Sequence, residues 1–473
     1  MDKYVAIDLG AESGRIVVGD VGTIEELYRF ENRPIRVAGS LFWDVLGIYA
    51  EIKRGLKAAF RRYGGRIRSI GLDSWGVDYA LLDGRGDLIG SVYHYRDPRT
   101  DGIPDQVFAV LPRREIFEET GIQYMQINTI HQLYAHRQSK PALLEQAHSL
   151  LTLPNLFHYW LTGRMCGEYS HVSTTQLYNP RKRQWSWRVI DALGFPRRWF
   201  GDIVAPGTRL GVLVPHVAEE IGAKGDVTVI ASASHDTASA VAAVPASGRG
   251  GSAYISSGTW SLLGIETREP IITDKSYAYN FTNEGGADGG IRFLKNIIGL
   301  WIVQECKREW DRGGETYSYA ELTRLAREIG PVEYEIDVND PRFLKPGLID
   351  DGMPERIRSY CREKGYKVPE SPAEMVRGVL QSLACLYAAA IRELEDAAGQ
   401  SIEELYIIGG GSRNGLLCEL TAAEAGIPVF AGPVEATAIG NILVQAISLG
   451  ELDSIAAGRR LIRDSYSIES FLP

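Results

Sequence analysis

Three short segments of this 473-residue chain carry residue types that could do chemistry together. The first is Asp8-Leu9-Gly10-Ala11-Glu12-Ser13-Gly14-Arg15. Successive backbone N–H groups in such a tight turn can cradle phosphate oxygens. Gly10 and Gly14 would permit close approach, Ser13 adds a hydroxyl, and Arg15 offers a forked cation to a transferring phosphoryl group. Asp8, at the end of an apolar run, suits a Mg²⁺ ion held mainly through water. The plainer alternative is a β-hairpin carrying an incidental aspartate. The second segment is Ser234-His235-Asp236-Thr237, directly after the apolar stretch Val227–Ala233. Strand carboxyl ends are where open α/β sheets place ligands. A carboxylate there can take the proton of a hydroxyl as its oxygen attacks phosphorus. The competing reading is an N-cap for the Ala/Ser-rich segment that follows. The third is Gly409-Gly410-Gly411-Ser412, behind the strand-like Leu405–Ile408. It offers a flat surface for an adenine or ribose, or else only a tight turn.

Several chemistries are excluded. No GxxxxGK[ST] phosphate loop occurs, and a hairpin rather than a helix follows Gly10, so the glycines are not a dinucleotide fingerprint. No Ser/His/Asp triad at elbow spacing and no paired-carboxylate glycosidase pattern stands out.

The elements that must position these segments alternate between strand and helix, which argues for α/β architecture. Tyr4–Leu9 and Arg15–Gly19 read as a hairpin. Val45, Tyr49, Ile52, Leu56 and Phe60 recur at helical spacing, stopped by Gly64-Gly65. Ile67–Leu72 and Val77–Leu82 read as strands around Asp73-Ser74-Trp75-Gly76. The theme returns later: Ala253–Gly258, then Thr259-Trp260, then the strand Ser261–Ile265. Ser371-Pro372-Ala373-Glu374 is a capping box with proline at the first helical position, and Gly399 ends the helix that it opens. Superposing Gly10 on Gly258 aligns AIDLGAESGRIVVG with YISSGTWSLLG, two glycine-bearing loops each set between two strands. Two such loops facing one another could hold the two ends of a polyphosphate. The stretch Pro245–Gly251 marks the expected boundary between a domain over residues 1–244 and another over 245–473.

With 60 acidic against 51 basic residues, the net charge is -9, which disfavours nucleic acid and anionic membranes as partners. The basic clusters Arg61-Arg62 and Arg181-Lys182-Arg183 are short and read as solvated surface. Five scattered cysteines without a CxxC pair fit a reducing compartment. No secretion signal or membrane anchor is expected, so the expected location is cytoplasmic.

The combination AIDLGAESGR, YISSGTWS, IIGGGSRNG and AGIPVFAGPVEATAIGN resembles the FGGY family of carbohydrate kinases. Within it, LDSWGVDYALLD, YRDPRT, ASASHDTASAV, FTNEGG and LKNIIGLWIVQ lie closest to members acting on L-rhamnulose. The resemblance spans nearly the whole chain. It implies two actin-like, ribonuclease H-like ATPase domains with an interdomain catalytic cleft. It also implies an ATP- and Mg²⁺-dependent kinase making L-rhamnulose 1-phosphate, as a monomer or small homo-oligomer. A sister kinase for another ketose such as L-fuculose, or a non-kinase actin-like ATPase, are the alternatives. By the same resemblance Ala11, Glu12, Ser13, Gly14 and Arg15 contact the ATP phosphates. Thr259, Gln304 and a glycine among Gly409, Gly410 and Gly411 bind the nucleotide. Gly76, His235, Asp236, Thr237 and Asn296 face the sugar, with Asp236 as base. Glu12 departs from the small residue expected at its position, and is expected to point away or to act through the metal.

Overall fold

The computed structural model describes residues 2–246, 251–344 and 352–473, so residues 247–250 of the expected boundary lie outside the described residues. By their internal contacts the residues form two compact units. One contains the chain up to Pro245 together with Glu266–Phe293 and Ala436–Tyr466; the other holds Ala246–Ile265, Leu294–Glu435 and Ser467–Pro473. A single cut of the sequence does not reproduce this division, because helix Ala436–Leu449 packs on the first unit's strands. Its Gln445 side chain donates to the Val5 carbonyl at 3.0 Å and accepts from the Ser69 hydroxyl at 2.7 Å.

The first unit is built on a six-stranded sheet. Its order is Thr208–Val212, Thr228–Ala231, Ile67–Ser74, Lys3–Leu9, Ser13–Asp20 and Thr23–Glu31. Lys3–Leu9 pairs antiparallel with Ser13–Asp20 and parallel with Ile67–Ser74, which pairs parallel with Thr228–Ala231. Apolar residues drive this: Val5, Ile7, Ile16, Val18, Ile70 and Leu72 share one core with Ile52 and Leu56 of helix Val45–Tyr63. The helix starts where the Asp44 carboxylate accepts from Gly47 N, and it stops at Gly64.

The second unit repeats the plan. Ser252–Ser257 pairs antiparallel with Trp260–Thr267 and parallel with Glu404–Ile408, which pairs parallel with Val429–Ala431. In both units a hairpin is followed by parallel strands added on its other side, so the proposed superposition of Gly10 on Gly258 corresponds to a shared topology. Helix Pro372–Ala398 has the expected reciprocal Ser371–Glu374 cap and ends at the left-handed Gly399. By length and composition alone this helix could cross a membrane, but 72% of its apolar stretch is buried inside the protein, as in a core helix.

One expected strand is shorter than the sequence suggests. Val77–Leu82 forms a strand only over Tyr79–Leu82, because Val77 adopts φ 68°. The Asp78 N–H reaches back to the Gly76 carbonyl at 3.0 Å, closing a three-residue turn about Val77. A β-branched residue at positive φ is strained, and such strain persists only where the surroundings impose it.

Candidate active site

The constraint on that turn comes from Asp78. Its buried carboxylate accepts from the indole N–H of Trp43 at 2.6 Å, that of Trp75 at 2.8 Å, and Gln132 Nε2 at 3.1 Å. Thr129 Oγ1 and Gln132 Nε2 also hold the Val77 carbonyl. Burial outweighs these donors and lifts Asp78 to about 6. The effect is to fix the Trp75-Gly76 peptide against His235. A Cβ on Gly76 would sit 2.9 Å from His235 Nε2, so a glycine is needed for the imidazole to occupy this place.

The His235-Asp236 segment lies, as expected, just beyond a strand end, with Ser74 N donating to Ser234 O at 2.9 Å. Asp236 is the first residue of helix Asp236–Ala242, and His235 occupies the cap position. The Asp236 carboxylate accepts from Thr237 N at 2.5 Å and from Thr237 Oγ1 at 3.2 Å. Thr237, expected at the sugar, is 4% exposed, and both its N–H and its hydroxyl orient Asp236. The Asp236 side chain keeps 32% exposure, which leaves it accessible to a substrate. Burial, followed by the nearby Asp8 charge, pushes Asp236 up to about 7. A general base works best with its pKa near the operating pH.

A residue the sequence reading did not single out holds this segment in place. Glu168 is fully buried. Its carboxylate accepts from Ser170 N at 2.9 Å, Ser170 Oγ at 2.6 Å, His171 N at 3.2 Å and Ser234 N at 3.0 Å. Ser170 Oγ in turn accepts from His235 N at 3.1 Å. One carboxylate therefore ties the start of the Asp236 helix to the 168–171 turn. Burial raises Glu168 to about 7.

Asp8 lies on the same sheet, in register with Arg15 on one neighbouring strand and Asp73 on the other. Arg15 grips Asp8 Oδ2 through Nη2 at 2.5 Å and Nε at 3.2 Å, so its fork is engaged by a carboxylate as well as being placed near the turn. Asp73, also not singled out as a site residue, is fully buried; Asn441 Nδ2 donates to its Oδ2 at 2.5 Å, while Oδ1 has no partner. Burial and the charge of Asp8 raise Asp73 well above the usual carboxylate range. A carboxylate interrupting the apolar run before Trp75 was the available signal. Among the described residues no cluster of three or more His, Cys, Asp or Glu side chains could hold a metal. Mg²⁺ does not need one: it keeps several waters and uses one or two carboxylates plus substrate phosphates. Asp8, beside the unpartnered Asp73 oxygen, fits that requirement.

The turn after Asp8 is closed by Gly10 N on Ser13 O at 2.9 Å and braced by Asn32, which bonds the carbonyls of Glu12 and Gly10. Glu12 is exposed, and Ala11 and Ser13 are half-buried. Gly14 lies within the second strand, where a Cβ would collide with the Phe30 ring at 2.1 Å, so packing also requires a glycine here.

In the second unit, Thr259 and Gln304 come together through backbone. Gly299 N and Trp301 N both donate to the Thr259 carbonyl, at 3.1 and 3.2 Å, and Gln304 lies on the helix Trp301–Arg312 that begins there. The Gln304 Oε1 atom is buried without a partner. Gly409 (φ 81°) and Gly411 press against Ser257, two residues before Thr259; a Cβ on Gly411 would lie 2.0 Å from Ser257 Oγ. Gly410 is exposed with nothing within 4 Å of its would-be Cβ, a bare backbone surface. Asn296 is half-buried on strand Ile291–Ile298 and belongs to this second unit, whereas Gly76, His235, Asp236 and Thr237 belong to the first.

Residues 3–243 match the FGGY family of carbohydrate kinases, N-terminal domain, and residues 253–449 match its C-terminal domain. The chain is 43% identical over 475 residues to a Rhamnulokinase of Halalkalibacterium halodurans, covering 100% of this chain and 99% of that one. It is 40% identical to a Rhamnulokinase of Bacillus subtilis, covering 99% and 94%. Among solved structures, a gluconate kinase from Lactobacillus acidophilus shares the fold, with a TM-score of 0.81 at 14% identity, covering 100% of this chain and 94% of that one. Plasmodium falciparum glycerol kinase with ADP does so with a TM-score of 0.78 at 13% identity, covering 99% and 94%. The protein belongs to the FGGY family of carbohydrate kinases.

Proposed function

We propose that the protein is a cytoplasmic kinase that transfers the γ-phosphoryl group of ATP to the C1 hydroxyl of L-rhamnulose, giving L-rhamnulose 1-phosphate and ADP. The observation that carries the chemistry is Asp236, a partly exposed carboxylate at a strand end, lifted to about 7 and fixed by Thr237. As the C1 oxygen attacks phosphorus, its proton passes to Asp236, and the bond from the γ-phosphorus to the β-bridging oxygen breaks. Glu168 and Ser170 hold the backbone before this base, and the strained Val77 turn holds Gly76 beside His235. Thr259, Gln304 and the Gly409–Gly411 surface are assigned to the nucleotide. Mg²⁺, held by Asp8 with Asp73 beside it, would neutralise charge on the phosphates. The choice of L-rhamnulose rests on relatives named Rhamnulokinase that are 40–43% identical along the whole chain.

A coupled ADP-release assay over a panel of ketoses tests this. L-Rhamnulose should raise ATP turnover far above the sugar-free rate. L-Fuculose should have a kcat/KM lower by about 5- to 150-fold, the consequence of one unpaired buried polar group. Equal values, or a preference for L-fuculose, would overturn the substrate assignment.

A further inference from the structure

Arg292 is among the largest fully buried side chains, at 0% exposure. Its Nε donates to the Gly285 carbonyl at 2.9 Å and its Nη2 to Glu284 Oε2 at 3.1 Å, whereas Nη1 is buried with no partner. A buried guanidinium N–H without an acceptor is costly, more so than a neutral one. The groups around it belong to the acceptor site. Gly285 N donates to Ser173 Oγ at 2.7 Å, and Ser173 Oγ donates to the carbonyl of Ser170, the residue whose hydroxyl holds His235 N. Burial keeps the His235 and His171 imidazoles neutral, and the Arg292 charge adds to that effect at both.

His171 carries the complementary group, a buried acceptor. The ring is fully buried, and its Nε2 lies 2.8 Å from the Trp75 carbonyl, which can only accept. Nε2 therefore carries the proton and Nδ1 is an obligatory acceptor. Nδ1 is buried and has no partner. The His171 and His235 rings lie with centroids 5.8 Å apart, and His235 borders Gly76. The groups packed behind the acceptor segment thus include a cationic donor without an acceptor and a neutral acceptor without a donor. The hydroxyls of a polyhydroxylated carbonyl compound can fill both roles.

We propose that Arg292 and His171 read the ketose: Arg292 Nη1 donates to a sugar oxygen, and His171 Nδ1 accepts from a sugar hydroxyl, together setting stereochemical preference. This rests on the ketose-kinase reading above. Arg292→Lys keeps the charge opposite Glu284 but loses the fork, and His171→Gln keeps a donor for the Trp75 carbonyl but loses Nδ1. In each folded variant, KM for L-rhamnulose should rise by about 10- to 150-fold, with kcat changing much less. The preference over L-fuculose should shrink, and the thermal stabilisation given by L-rhamnulose should disappear. In the unaltered protein, adding L-rhamnulose should move the ¹⁵N resonance of His171 Nδ1 upfield, as expected when an unprotonated nitrogen accepts a hydrogen bond. This measurement needs no variant to fold. Unchanged KM and ketose preference in a folded variant, or a stationary Nδ1 resonance at saturating L-rhamnulose, overturns the assignment. If the unaltered protein phosphorylates no ketose, the functional reading fails instead, before any variant is compared.

Discussion

Replacing Glu168 by glutamine tests whether the acceptor segment is held by a buried charge. The carboxylate serves four donors, three of them on Oε2. A glutamine has one carbonyl oxygen. Placed at the Oε2 position, it keeps Ser170 Oγ, His171 N and Ser234 N but turns its NH₂ toward Ser170 N, leaving one buried N–H unpaired at a cost of about 1–3 kcal/mol. Against this stands the charge itself. Glu168 is raised from 4.5 to about 7, so the folded state binds its proton more tightly than the unfolded chain does. Its contribution to stability is fully present below 4.5 and is lost as pH rises through about 7. Over that whole range the loss is about 3 kcal/mol at ~1.4 kcal/mol per pH unit, and about 2 kcal/mol of it falls between pH 5.5 and 8.5. Glutamine does not titrate and escapes this loss. Glu168→Gln should therefore be more destabilising at pH 5.5 than at pH 8.5 by about 2 kcal/mol, read from urea unfolding at the two pH values. The altered grip on Ser234 should also misplace His235 and Asp236, cutting kcat by up to about 100-fold, the loss expected from a misplacement of about 1 Å. Wild-type kcat together with a pH-independent stability difference would refute the reasoning.

Asp236→Asn should lower kcat by about 10²–10⁴-fold with sugar binding largely retained; in the unaltered enzyme, activity should rise with pH through about 7, since the raised Asp236 acts as a base only once ionised. Near-parental kcat in the variant would remove Asp236 from the chemistry. Asp8→Ala should lose activity and need more Mg²⁺; an unchanged Mg²⁺ titration and rate would make Asp8 purely structural. Gly411→Ala forces a Cβ to 2.0 Å from Ser257 Oγ, so KM for ATP should rise while sugar-induced thermal stabilisation persists. Unaltered KM for ATP would show that this surface is not used by the nucleotide.

The features legible in the sequence are those whose causes are local. The Asp8–Arg15 hairpin follows from two β-branched runs around a glycine turn, and the Ser371–Glu374 cap from a four-residue pattern. The position of Asp236 follows from the apolar run that ends before it. Each depends on neighbours a few residues apart, which spacing and propensity encode. What the sequence left open depends on residues distant along the chain. Glu168 stands in a short segment with no periodic signal, and its role exists because Ser234, 66 residues away, brings it an N–H. Asp73 meets Asn441 across 368 residues, and helix Ala436–Leu449 is drawn onto the first sheet by that bond and those of Gln445. The packing demand on Gly14 comes from Phe30 of the neighbouring strand, whose ring fills the space a Cβ would need. The strand expected at Val77 is overridden by Asp78, which two indoles and an amide pull into the core. Burial raises the pKa values of Glu168 and Asp236, and burial is a property of the packed chain: spacing along the sequence does not encode which carboxylate is enclosed with four donors and which keeps an exposed face.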